Sequence, residues 1–142
     1  MILWAPLWFS WNEPFLPATL ERLKSTTRAR IVVVGSKIWK FGSIEIALRK
    51  RSLDGLPEYG ARFVEDSVLQ MNARLKAVAE RHGAVYFDLM RFLCPTRERC
   101  DVLTPNLRPS LHNAGHYSMW GAAMVSRRAT APLAAVIERG AE

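Results

Sequence analysis

No stretch of the 142 residues approaches the roughly 20 consecutive apolar residues that a membrane-spanning helix needs, so no such helix is expected. The apolar opening, Met1-Ile2-Leu3-Trp4-Ala5-Pro6-Leu7-Trp8, lacks a basic stretch before it and a small-residue cleavage site after it. It is not expected to act as a signal peptide. Histidines number three and cysteines two, and Cys94 and Cys100 have no further Cys or His at tight spacing beside them. That composition does not meet the ligand count of a structural zinc site. Neither a metal nor an organic cofactor is expected.

Acidic residues are also scarce, 13 Asp and Glu against 20 Lys and Arg, for a net charge of +7. A basic chain invites a nucleic-acid reading. Here the positive charge is scattered through Arg28 and Arg30, Arg49-Lys50-Arg51, Arg97 and Arg99, and Arg127-Arg128. No nucleic-acid motif accompanies it, and the aromatics are not interleaved with it as a stacking platform requires. A basic solvated surface is the simpler reading, and nucleic acid is not the expected partner.

What is present is the composition of one globular domain: 49% hydrophobic and 23% charged residues, enough for a single core. The run at 2–8 predicts a buried strand, ended by Pro6. Pro17 suits the first residue of a helix that places Leu16, Leu20 and Leu23 on one face. The β-branched run Ile31-Val32-Val33-Val34, closed by Gly35, has the pattern of a central parallel strand at 30–35. Residues 36–58 predict a long surface excursion. A helix is predicted over 59–82, with Phe63, Val64, Val68, Met71, Leu75, Val78 and Ala79 at its period and Gly83 as its stop. A third strand follows at 84–89, then a loop, and a last helix from Met119 in which Pro132 is expected to kink or break the run. Strands alternating with helices predict an α/β fold with helices on both faces of a parallel sheet. Three strands are few for such a sheet, so the layer is expected to be incomplete at its N-terminal side.

In open parallel sheets, functional groups gather beyond the carboxyl ends of the strands. The loop that precedes the last helix ends Leu111-His112-Asn113-Ala114-Gly115-His116-Tyr117-Ser118. His116 is the candidate general base, because imidazole titrates near neutral pH and a loop position lets it face a cleft. The competing reading is an ordinary loop histidine beside the cap of the last helix, and Ser118 suits that cap better than it suits a nucleophile. Pro95-Thr96-Arg97-Glu98-Arg99 separates the two cysteines. Their spacing is compatible with two free thiols or with a short-loop disulfide, the latter implying an oxidising compartment such as a periplasm.

The block His116-Tyr117-Ser118-x-x-Gly121-Ala122 resembles the H-[LY]-[ST]-x-x-G-[AS] block that closes SGNH hydrolase-like domains. It is most similar to those fused to, or working with, acyltransferase-3 membrane proteins that modify bacterial glycans. Other features follow in the family's order. They are the apolar strand ending in Trp8, the helix and Gly35-ended strand after it, and paired cysteines at Cys94 and Cys100 upstream of the histidine. The resemblance covers nearly the whole chain but only the latter part of such a domain. It implies an SGNH or flavodoxin-like three-layer architecture and O-acyl chemistry on cell-surface glycans. Its implied partners are an acyl-glycan substrate and a membrane acyltransferase domain, at the periplasmic face of a bacterial inner membrane.

Two positions depart from the family pattern. The aspartate expected three residues before the histidine is Asn113, which supplies no charge and raises the prospect of the wrong imidazole tautomer. A backbone carbonyl or Asp101 is the alternative orienting group. The family's nucleophile lies in a Gly-Asp-Ser segment, and no Gly-Asp-Ser occurs in this chain. Ser36, after Gly35, is a weak candidate, since the segment aligns better with a later, non-catalytic strand end. The simpler expectation is that the serine lies outside these 142 residues, leaving this chain truncated or inactive alone. The alternative is a degenerate, non-catalytic binding module. Trp4, Trp8 and Trp11 offer sugar-stacking surface, although core packing is the expected role of at least two of them.

Overall fold

Four consecutive β-branched residues bury both faces of Ile31–Val34, which forms the middle strand, β2, of a three-stranded sheet. The computed structural model describes residues 1–6, 8–39, 49 and 53–138. Strand β1 (Ile2–Trp4) pairs with β2 in parallel, Leu3 opposite Val32. Strand β3 (Val85–Phe87) pairs on the other side, also in parallel, Val33 opposite Tyr86. Because side chains alternate along a strand, Ile31 and Val33 face one layer while Val32 faces the other.

The first layer is α1 (Leu16–Thr26) and α3 (Asp66–Arg81), whose Leu16, Leu20, Leu75 and Ala79 close over Ile31 and Val33. The second is α4 (Met119–Glu138), which lays Met124, Val125 and Ala129 into a cluster with Val32 and Phe87. The expected three-layer α/β arrangement is the one found. Pro17 sits in the first turn of α1, one residue later than expected, after a 3₁₀ turn at Glu13–Phe15. Strand β1 ends at Trp4, short of Pro6.

Three expectations need correction. The helix expected over 59–82 is two helices, α2 (Leu56–Ala61) and α3, separated by an extended Glu65. The reason is tertiary. Cys100 N–H donates to Pro57 O, and a Cβ on Gly60 would lie 2.7 Å from Val102 Cγ1, so α2 is seated on the cysteine loop. Helix α3 packs instead on α1 and the sheet, and one straight rod cannot meet both surfaces. The excursion expected at the surface from residue 36 begins in the core, with Ser36 and Trp39 buried. Residues 40–48 and 50–52 of that excursion lie outside the described residues. Pro132 does not break α4, which runs on to Glu138 with Ala129, Leu133 and Val136 all packed on the core. No helix among the described residues is long and apolar enough to cross a membrane.

Candidate active site

Beyond the carboxyl ends of β2 and β3, Leu111–Asn113 (β4) and His116–Tyr117 (β5) form a short antiparallel hairpin that leads directly into α4. The turn between them is an Asx turn: the Gly115 N–H donates to Asn113 Oδ1 at 3.0 Å, two residues back. The same oxygen lies 2.8 Å from His116 Nδ1. A backbone N–H only donates, so the Asn113 atom facing it is the carbonyl oxygen. That oxygen only accepts, so the proton of a neutral His116 sits on Nδ1 and the lone pair on Nε2. The contact as it stands matches the tautomer that a general base requires. The charge of an aspartate is still missing. His116 is exposed, and among the described residues no hydrogen bond reaches its Nε2.

The residues after His116 position it. Ser118 Oγ accepts the Gly121 N–H at 3.0 Å and donates to Pro109 O, so this hydroxyl caps α4. A Cβ on Gly121 would lie 1.7 Å from Ser110 O, which makes glycine the residue that lets the helix approach the strand carrying the hairpin. Tyr117 is largely buried, and its phenol pKa is raised by burial and, secondarily, by Asp88. The block thus consists of one exposed histidine and three residues that hold it.

Segment 35–39 meets the hairpin from the other side. Lys37 Nζ donates to Gly115 O at 2.8 Å and stands 5.2 Å from the Tyr117 ring centroid. The Trp39 N–H donates to Ala114 O at 2.8 Å. Neither residue was legible as part of a site, because the bond from Lys37 spans 78 positions of sequence.

Ser36 is buried, and its backbone is held at both ends by Asn72: Ser36 N–H to Oδ1 at 2.7 Å, and Asn72 Nδ2 to Ser36 O at 3.0 Å. Its Oγ has no hydrogen-bond partner among the described residues. The structure thus brings Asn113 and His116 together but does not join Ser36 to them. Asp101 forms an ion pair with Arg128 at 2.5 Å, and among the described residues no hydrogen bond joins it to His116. His112 is exposed on β4 without a described partner in hydrogen bonding. Cys94 and Cys100 are joined in a disulfide. Of the three tryptophans near the N-terminus, Trp8 is buried and donates its indole N–H to Val34 O, and Trp4 packs edge-on against it. Only Trp11 is strongly exposed, at 69%, with the Phe9 ring stacked beside it. Among the described residues no cluster of His, Cys, Asp and Glu is able to hold a metal ion.

Residues 10–131 match the family described as "SGNH domain (fused to AT3 domains)". The chain belongs to the SGNH domain family. A solved relative of the same fold is the periplasmic domain of a lipopolysaccharide acetyltransferase from Salmonella ser. Paratyphi A, with a TM-score of 0.69 at 13% identity. The alignment covers 92% of this chain and 56% of that one, so this SGNH chain spans little more than half of the neighbour's length. No curated protein matches the chain in sequence.

Proposed function

We propose that this chain is the histidine-bearing part of an SGNH-type O-acyltransferase or esterase domain that acts on O-acyl groups, typically acetyl, of cell-surface glycans. The observation that carries the reading is the Asn113–Gly115–His116 turn, which leaves an exposed imidazole with its basic nitrogen outward. In such chemistry a serine hydroxyl attacks the acyl carbonyl. His116 Nε2 takes the hydroxyl proton as the oxygen–carbon bond forms. The imidazolium then returns a proton to the departing alcohol. An acceptor hydroxyl of a sugar, or water, completes transfer or hydrolysis by the same steps in reverse. The serine is supplied by polypeptide outside these 142 residues. Membership of a family fused to membrane acyltransferase domains supports such a partner and a periplasmic setting. The Cys94–Cys100 disulfide is compatible with that compartment.

The test is to join a serine-bearing N-terminal segment of the same family in frame before Met1 and to follow p-nitrophenyl acetate. The chain alone is expected to give negligible hydrolysis. The joined domain is expected to turn over, and to lose that activity on His116→Ala. A folded joined domain whose turnover ignores His116 would overturn the reading. It would favour a non-catalytic glycan-binding module, a second reading to which the uncharged Asn113 lends support. Nucleic-acid binding remains the minor alternative, and a salt-sensitive pull-down on DNA separates it from both.

A further inference from the structure

Gly115 is the residue on which the histidine turn hangs, and it is held at both ends. Its N–H is bound by Asn113 and its carbonyl by the Lys37 ammonium at 2.8 Å. The same ammonium stands over the ring of Tyr117, 5.2 Å from its centroid, within cation–π range. One side chain thus grips the residue before His116 and the residue after it. The root of that side chain is fixed in turn. Asn72 ties down both the N–H and the carbonyl of Ser36, and the Trp39 N–H is bonded to Ala114 O.

The position is a costly one for a cation. Lys37 is partly withdrawn from water, and desolvation lowers its pKa from the ordinary 10.5. Among the described residues no carboxylate is paired with it. A surface lysine with no task extends into solvent, because holding one long side chain in a single rotamer forfeits entropy. This one is instead held by a carbonyl dipole and a ring face, and both contacts join the hairpin to the end of β2 beside the Trp39–Ala114 backbone bond.

We infer that Lys37 is a positioning residue for His116, clamping Gly115 and Tyr117 so that the imidazole stays engaged with Asn113 in its Nδ1–H form. The inference rests on the reading of His116 as the base. Lys37 touches no reacting atom. It acts through the hairpin, and its loss lets the turn open and the imidazole proton redistribute to Nε2.

The experiment is long-range ¹H–¹⁵N correlation of the His116 ring in the ¹⁵N-labelled chain, above the pH at which the ring is neutral. The unmodified protein is expected to show Nδ1–H as the dominant tautomer. Lys37→Met is expected to raise the Nε2–H share at least threefold, and Lys37→Arg, which keeps a cation and donors, to restore the original distribution. A folded Lys37→Met protein with the tautomer unchanged would overturn the inference, whatever its thermal stability. If Lys37→Met does not fold, the unmodified protein decides. Slow exchange of the Lys37 ammonium protons, with nuclear Overhauser contacts to the Tyr117 ring, is the expected result. A rapidly exchanging ammonium without those contacts would refute the clamp. Because none of these readouts is acyl transfer, failure of the clamp is distinguishable from failure of the catalytic reading.

Discussion

Asn113 Oδ1 lies 2.8 Å from His116 Nδ1 and also accepts the Gly115 N–H, so the group facing the imidazole is a neutral amide rather than a carboxylate. Orientation and charge are separable contributions. The first is retained here, while the second, the stabilisation of the imidazolium as it forms, is absent.

Substitution at Asn113 resolves the two in a domain completed with its serine. Asn113→Ala removes the acceptor, frees the imidazole to take the Nε2–H form, and is expected to lower kcat/KM by about 10²- to 10⁴-fold. Asn113→Asp keeps the acceptor and adds charge. Charge-assisted hydrogen bonds are roughly twice as strong as neutral ones, so a gain of about tenfold is expected. Initial rates with p-nitrophenyl acetate measure both. A domain indifferent to both substitutions would mean that His116 is not the base.

Gly121→Ala tests the close approach behind the histidine block. The added methyl would lie 1.7 Å from the Ser110 carbonyl oxygen, a backbone atom that cannot swing away. A destabilisation of about 3 kcal/mol or more is expected, at the upper end for overpacking, despite the better helix propensity of alanine. Urea unfolding against the exposed neighbour Ala123→Ser supplies the comparison, with little change expected from the latter.

Two of the three tyrosines, Tyr86 and Tyr117, have raised pKa values, chiefly because burial disfavours the phenolate and secondarily because Asp88 repels it. A group whose pKa is higher in the folded chain contributes stability that is whole below its unfolded value and declines above it. Stability is therefore expected to fall as pH rises beyond about 10. Lys37 works in the opposite sense, since its folded pKa is lowered and the cost of its charge is relieved as pH climbs towards 10.5. Two phenols against one ammonium leave a net alkaline loss. Thermal melts between pH 9 and 11 should show it, with phenolate absorbance at 295 nm rising together with unfolding. Tyr117→Phe should move that limb to higher pH.

Reduction of the Cys94–Cys100 bridge reopens a loop whose ends are six positions apart. Loop-closure entropy for so short a ring amounts to about 2 kcal/mol. Because α2 is seated on this loop through Cys100 N–H and Pro57 O, the loss should extend to that helix. Amide exchange over Leu56–Ala61 with and without reductant is the check. Unchanged protection there would separate the two elements.

Much of this was written locally. The β-branched run at Ile31–Val34, the amphipathic period of α3, and the Ser118 cap followed by Gly121 all carry their signal within a few residues, where side-chain period and hydrogen-bond reach are set by the backbone itself. Asn113 and His116 were legible as a pair through the resemblance to SGNH hydrolase-like domains, which places an orienting residue three positions before the histidine. What escaped was whatever a distant surface decided. The break between α2 and α3 depends on the cysteine loop, and the burial of Trp39 depends on the hairpin that receives it. Asn72 reaches Ser36 across 36 positions, and Lys37 reaches Gly115 across 78. The sequence by itself determined the central strand, the helices that cover it and the choice of His116 as candidate base, because those signals repeat within a few residues. Only the tertiary structure decided what braces the turn that carries it, because Lys37 and Trp39 reach Gly115 and Ala114 from the end of a strand about 75 positions earlier in the chain.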